Sequence, residues 1–540
     1  MPERVAKLSW ICAFVGLLLL ECCPIWVLQH FPSQDGPSHL YNAIVIGQWS
    51  HQPVYRQFYD VHLTPAGNLL FQLILAGLVN VAPVALAEKI ILTGYMILFP
   101  LAFLGLLEAV SPAARPFSLF AFIFAPSIFF QMGFWNFMFS IPLALLALRY
   151  YLRGRARPTP LWLVLLALWG LAIYEVHMGS WIVFAMALGI FTAVDVAQWL
   201  LCRPDPLSGL ARKKLTDAVL PLFTLVPPLL LAAGFMLGSQ FRSVTAESVP
   251  ERLIDRVKPL AALQFLRTVS DADTRFAAAF ALLVCVLLAL AVWLRIRRAP
   301  ALATTALATT EVWLVLAGAC GLLSLLAPTA VSGVLFRHRL ALYGWMFLVI
   351  WLATQRWRPS LVRFTSACVC VLAALPFVWR IPDYRYWDQR ISEFATVAPH
   401  VVPDATVLSI PMESMAHRVD SLLHAVDLFA PKPFIDLRNY EAATTYFPTE
   451  FRPEKRPFDS LGTLMKLQTP APAFHLSRYE RQAHTPVDYL LFYGGGSECR
   501  ERTLYAQQLK HYKLTYISRP TGLVRLYERV PAPPELQAGS

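Results

Sequence analysis

The chain has 540 residues, 57% of them hydrophobic and 15% charged, with a formal net charge of +12 and a mean hydropathy of +0.52. A soluble domain is about a quarter charged, so this composition excludes a chain that hides all its apolar side chains in one soluble core. The lysines and arginines gather between the apolar runs, which is the bias of membrane-protein loops and argues against nucleic-acid binding.

The first apolar run, residues 8–28, follows a short basic start from Met1 to Lys7. It is too long for a signal-peptide core and has no small-residue cleavage site, so it reads as an uncleaved first span. Glu21 lies inside it, where an acid must be paired or protonated. A polar loop, 29–66, comes next, then an apolar stretch, 67–82, interrupted by Gln72 and Asn80. Beyond it lie ten more candidate spans: 84–108, 116–131, 134–151, 160–176, 178–200, 216–238, 274–295, 311–328, 340–355 and 362–379. With the first, this makes about 11 transmembrane helices, each near the roughly 20 residues that hydrocarbon requires.

The basic segments Arg149–Arg157, Arg203–Lys214, Arg295–Arg298 and Arg356–Arg363 belong on the cytoplasmic side. Parity of the spans then requires that 67–82 lie on the membrane surface or re-enter the outer leaflet. An alternative makes 116–151 one crossing plus a re-entrant half-helix. The preferred solution puts the loop 29–66, the turn 131–136, the turn at Glu175 and His177, the loop 239–273, the triplet Arg337-His338-Arg339 and the C-terminus outside.

From residue 384 the apolar runs shorten and prolines and charges return. Short apolar segments bounded by turn residues predict strands at 405–411, 433–437, 487–493, 512–517 and 523–527. Helical patterns at 414–428 and 499–511 intervene, so a small α/β soluble domain is expected. The organisation is therefore a polytopic domain, 1–383, and an extracytoplasmic α/β domain, 384–540. Gly494–Gly496 follows a strand but lacks the lysine and hydroxyl of a phosphate-binding P-loop, and reads as a flexible turn. The tail after Pro531 reads as disordered. Nine cysteines, mostly in apolar runs, show no disulfide or zinc spacing.

The outer loop carries Asp35-Gly-Pro-Ser-His39-Leu just after the first span. Asp-Gly-Pro is turn chemistry, and Ser38 is placed to cap a helix beginning near His39. A turn aspartate with an interfacial histidine accounts for the same residues without function. Glu175 and His177 end a span and could form a second carboxylate with a proton or metal partner, or simply meet the interface. Arg337, His338 and Arg339 could hold a phosphate, since arginine binds it bidentately. They could equally meet lipid headgroups.

The layout resembles the GT-C superfamily of membrane glycosyltransferases: an outward first span, a long outer loop opening on an acid, a multi-span body and an outer soluble domain. Asp35-Gly-Pro-Ser-His-Leu is similar to the Asp-x-Pro-x-His-Leu stretch of many bacterial members. The segment Asn68–Ala82 and the turn Gly133-Phe-Trp-Asn136 stand in family-like places. The resemblance implies a bacterial inner-membrane enzyme. It would move a sugar from a polyprenyl-phosphate donor to an acceptor of unspecified kind, with Asp35 binding the acceptor or acting as base and His39 beside it. Many members carry a second carboxylate in the turn 131–136, where this chain has none, which leaves a divalent cation open. Two other classes compete. A transporter or flippase would show internal repeats with matched broken helices, but only one span is broken, at Pro227-Pro228. A non-catalytic membrane assembly protein would show no site around Asp35.

Overall fold

The computed structural model describes residues 2–64, 67–201, 209–237, 252–298, 310–327, 335–413, 418–444, 446–458, 460–461 and 474–530. Cys202, residues 239–251 of the loop 239–273 and residues 531–540 lie outside the described residues. The chain is mainly helical, with a C-terminal mixed sheet.

Each apolar run forms helix, but not always one helix. Seven helical segments among the described residues are long and apolar enough to cross a membrane. They are Lys7–Val27, Val84–Val110, Pro112–Met132, Met178–Leu201, Lys213–Leu237, Asp273–Arg297 and Pro359–His400. Pro160–Val176 and Val312–Leu326 are shorter apolar helices, as is Leu69–Val81. At about 1.5 Å per residue, the 13 residues of this last helix fall short of a roughly 30 Å hydrocarbon layer. Lipid-type surface is plain on the long helices, where Leu8, Leu230 and Leu282 are more than 60% exposed. The protein is an integral membrane protein.

Proline decides where the runs break. The predicted span 216–238 is two helices, Gly209–Phe223 and Val226–Leu237, because Pro227 and Pro228 cannot donate to the preceding turn. The predicted span 116–131 opens as a 3-10 helix, Pro112–Phe120, and closes as Ile128–Met132 after an interruption at Pro126. Gly133 ends it with φ +75°, a conformation suited to glycine. The last predicted span gives Pro359–Ala374 and then Pro376–Ala395.

The chain divides into two units: residues 1–24, 65–71 and 92–382 form the first, and residues 25–64, 72–91 and 383–540 the second. In the first, the helices Trp135–Gly154 and Pro160–Val176 pack side by side after a short turn, with Thr159 Oγ1 accepting from the Trp162 N–H at 3.2 Å. Gly344 lets the helix Phe336–Ala353 approach Val312–Leu326, since a Cβ there would meet the Ala317 carbonyl at 3.3 Å. Asp273 is fully buried and accepts from Arg380 Nε at 3.0 Å, Trp379 Nε1 at 2.9 Å and Thr268 Oγ1 at 2.6 Å. A buried charge persists only when so paired.

Among its described residues the second unit holds seven short strands, β1 (Tyr59–Val61), β2 (Thr406–Pro411), β3 (Ile435–Asp436), β4 (Thr449–Phe451), β5 (Tyr489–Tyr493), β6 (Tyr512–Ile517) and β7 (Val524–Arg529). β1 pairs antiparallel with β4. The others form one sheet in the order β3-β2-β5-β7-β6, with β3, β2 and β5 parallel and β7 and β6 antiparallel. β2 and β5 are buried along their whole length, as parallel strands covered on both faces must be. The expected helix at 414–428 is not formed in its described part, which is turns and a 3-10 helix at Ala425–Phe429.

The core of this unit joins distant stretches. Tyr41, Ile44 and Val45 from the helix Gly36–Gln48, and Tyr55, Phe58 and Tyr59, pack with Val407, Phe434, Leu437 and Phe451. Tyr41 OH donates to the Phe434 carbonyl at 2.8 Å. Asn42 and Asn439 exchange amide bonds of 3.0 and 2.9 Å. These bonds satisfy polar groups that burial would otherwise penalise.

Candidate active site

The helix Gly36–Gln48 begins directly after Asp35, and its first bond runs from the His39 N–H to the Asp35 carbonyl at 3.1 Å. The sequence predicts a start near His39 capped by Ser38. The start lies three residues earlier because Pro37 is preset for the first turn, where its missing N–H is not needed. Asp35 occupies the cap position but its side chain makes no capping bond. The carboxylate is therefore available for other partners.

Those partners are its neighbour Gln34 and two C-terminal residues of the same unit, Tyr440 and His424. Gln34 Nε2 donates to Oδ1 of Asp35 at 3.0 Å, Tyr440 OH donates to Oδ2 at 3.4 Å, and His424 Nε2 lies 3.8 Å from Oδ1. Asp35 is only 7% exposed. Burial pushes its carboxyl up to about 6, against the bonds from Gln34 and Tyr440 and the charge of His39. Burial, helped by Arg438 and His39, pushes His424 down to about 3, so its imidazole is neutral. Its ring packs on Tyr440 with centroids 4.9 Å apart.

One helical turn beyond Asp35, His39 Nδ1 lies 2.8 Å from Oε1 of Glu441. Gln72 Nε2 donates to the other oxygen of Glu441 at 2.8 Å. The same Gln72 Nε2 lies 2.9 Å from His39 Nδ1, so the carboxylate and the amide together fix the orientation of the ring. Deeper still lie Asp436 and Asp427. Burial raises Asp436 to about 6. Burial and the charges of Asp436 and Glu441 raise Asp427 well above the ordinary carboxylate value, which favours its protonated form.

Sequence reasoning singles out Asp35 and His39, and the structure places them in this cluster; it misses Tyr440, Glu441, His424, Asp427 and Asp436. A signal exists: Arg438-Asn-Tyr-Glu441 directly follows β3, and in α/β sheets ligands gather outside the carboxyl ends of parallel strands.

The other predicted residues lie in the first unit. His177 follows the helix Pro160–Val176, and Arg339 Nη1 donates to its Nε2 at 2.6 Å. The Arg339 guanidinium also covers the rings of Phe134 and Phe137 at 4.9 and 5.0 Å. Arg337 Nε donates to the Ala327 carbonyl at 2.6 Å, and His338 Nε2 lies 3.0 Å from Gln264 Oε1. Both arginines are buried, at 6% and 8% exposure, while Glu175 is half-buried. The structure thus brings His177 and Arg339 together, whereas the contacts described for Arg337 and His338 are with other residues. Among the described residues, no group of three histidine, cysteine, aspartate or glutamate side chains is arranged to hold a metal ion.

No family model matches the chain, and no curated protein matches it. Two solved structures are similar over nearly its whole length. The oligosaccharyltransferase of Archaeoglobus fulgidus, solved in complex with zinc and sulfate, aligns at 12% identity and a TM-score of 0.45, covering 97% of this chain and 73% of that one. ArnT from Cupriavidus metallidurans in the apo state aligns at 11% identity and a TM-score of 0.36, covering 97% of this chain and 98% of that one. These scores are low, and the function proposed below rests on the residues just described.

Proposed function

We propose that the protein is a membrane glycosyltransferase that moves a sugar from a polyprenyl-phosphate donor to an acceptor hydroxyl on the extracytoplasmic face of a bacterial inner membrane. The observation that carries this is the Asp35 carboxyl, buried and held at about 6 beside Tyr440 and His424. A general base works best when its pKa lies near the working pH, and perturbed groups of this kind mark functional sites.

In the proposed step the acceptor oxygen forms its bond to the anomeric carbon as the bond from that carbon to the phosphate oxygen breaks. The hydroxyl proton passes to Asp35, and the carrier leaves as polyprenyl phosphate. His39, oriented by Glu441, accepts or donates hydrogen bonds to the sugar or acceptor hydroxyls. The leaving phosphate needs positive charge, which a guanidinium supplies bidentately.

The test uses the full chain reconstituted in vesicles with a panel of polyprenyl-phosphate hexoses and pentoses. Release of polyprenyl phosphate is followed with and without a mixture of hydroxyl acceptors. Asp35→Asn should lower the rate by roughly 10²–10⁴-fold, the usual weight of a general base, while leaving membrane insertion intact. Unchanged turnover in Asp35→Asn removes the base assignment. If the native chain transfers none of the sugars, the enzyme proposal falls.

A further inference from the structure

The charge bias reads residues 239–273 as a loop between two spans, yet part of that stretch is a helix, Leu253–Ala261. At about 100° per residue, Leu253, Ile254, Val257, Leu260 and Ala261 fall in one arc of roughly 120°, and Arg252, Asp255 and Lys258 fall on the other side. No residue of this helix is buried. The apolar arc is left open, with Leu253 68% and Ile254 51% exposed. A short helix with such a stripe persists when something covers the stripe.

Its neighbours in the first unit locate it. Arg256 Nη1 donates to the Leu325 carbonyl at 3.3 Å, at the end of the apolar helix Val312–Leu326. That helix starts, at its other end, beside Glu311, which pairs with Arg295 at 2.7 Å. Its 15 residues rise about 22 Å at about 1.5 Å each. A hydrocarbon layer is roughly 30 Å thick, so the helix stops about 8 Å short of the far boundary. A second helix, about 10 Å across, set against that end makes up the shortfall and brings its side chains to hydrocarbon depth. Lipid-type surface runs up to the same end, where Leu322 and Leu326 are 57% and 62% exposed. After Ala261 the chain passes through the 3-10 turn Gln264–Leu266 to Asp273, where the span Asp273–Arg297 begins. Both connections therefore put the helix at a membrane boundary.

We propose that helix Leu253–Ala261 lies in the membrane interface on the Asp273 side. Leu253 and Ile254 sit among the upper acyl chains, and Arg252 and Lys258 extend to the headgroup phosphates. The partner is a phospholipid surface because the open stripe adjoins leucines of Val312–Leu326 that already face lipid. The entry to the span Asp273–Arg297 is thereby tied to the bilayer surface.

The test places the photo-crosslinking residue benzoylphenylalanine at Leu253, Ile254 or Asp255, one position at a time, in the full chain. Each variant is reconstituted in nanodiscs of phosphatidylethanolamine and phosphatidylglycerol, irradiated, and read by intact mass for phospholipid adducts. These positions are exposed, so each variant should melt as the native chain does; if the one at Leu253 fails to assemble, the one at Ile254 reads the same face. Leu253 and Ile254 should give at least about tenfold more lipid adduct than Asp255, the contrast between acyl chains and water across an interfacial helix. Ile254→Glu, read with the crosslinker at Leu253, should cut the adduct by a similar factor, because a carboxylate is costly among acyl chains. The proposal is overturned by equal adduct at all three positions, by no lipid adduct at Leu253 and Ile254, by crosslinks there to a second copy of the chain instead, or by an adduct that Ile254→Glu leaves unchanged.

Discussion

The Nδ1 of His39 lies 2.8 Å from a carboxylate oxygen of Glu441, and both side chains are buried. The carboxylate and the Gln72 amide, 2.9 Å from the same nitrogen, hold the ring in one orientation, and Gln72 also donates to the carboxylate. Glu441→Gln keeps the shape but offers its carbonyl or its amide to Nδ1 without preference. Such supporting partners are worth roughly 10–100-fold in activity. The expected outcome is a fall of that size in kcat, with a smaller change in KM and a shifted pH profile. A uniform rise in KM with kcat preserved would mean that His39 binds rather than orients.

The Asp35 carboxyl titrates at about 6 in the folded chain against an ordinary value of 3.8. The sign follows from proton binding: between these values the folded chain holds the proton and the unfolded chain has lost it, so stability falls as pH rises through this window and stays lower above it. Asp35→Asn removes that penalty, which is on the order of 2–3 kcal/mol at most. Its melting temperature in detergent should therefore exceed that of the native chain at pH 7.5 and converge with it near pH 4. Turnover of the native chain should rise with pH through about 6, as the base form of Asp35 appears. Equal melting temperatures for both chains at pH 7.5 would show that the carboxyl is not held up by burial.

Burial and its acidic neighbours push the Asp427 carboxyl well up, toward its protonated form. An amide reproduces a protonated carboxyl in size and in its ability to donate. Asp427→Asn should change the melting temperature little and leave turnover within about twofold, since buried polar groups tolerate replacement when their hydrogen bonds are kept. Asp427→Leu should destabilise by roughly 1–3 kcal/mol, because Asp436 loses its donor. Thermal melts of the two variants side by side read the difference.

Arg339 donates to His177 while lying over Phe134 and Phe137. Lysine keeps the charge but offers a compact ammonium that cannot cover both rings and hold the imidazole in one plane. Arg339→Lys should lower thermal stability by roughly 1–3 kcal/mol. A melt indistinguishable from the native one would mean that this buried arginine is held by other bonds.

The spans and strands were legible because period and length are written locally. Val84–Val110 and Met178–Leu201 are long apolar runs, and β2 and β5 are short ones bounded by turn residues. The helix break at Pro227-Pro228 followed from missing donors, whereas the one at Pro126 was not read from the sequence. β1 and β4, three residues each, were not legible, because neither carries a pattern of its own and each exists only through pairing with the other. The same holds for the site. Asp35 and His39 stand four residues apart and can be read together. Glu441 and Tyr440 join them only because helix Gly36–Gln48 shares a core with the sheet, and nothing local in the sequence announces that.

The bond between Tyr41 and Phe434 links residues 393 positions apart. During synthesis the loop that carries Asp35 emerges early, yet β4 and the Phe434 socket arrive only after the membrane helices have been made. The second unit is therefore the last part of the chain to close, and early-stalled chains would present Tyr41, Tyr55 and Tyr59 bare to solvent. The same dependence runs in reverse for the bench: residues 384–540 expressed alone would lack the side chains that fill their core, and would call for residues 25–64 to be supplied as a second chain.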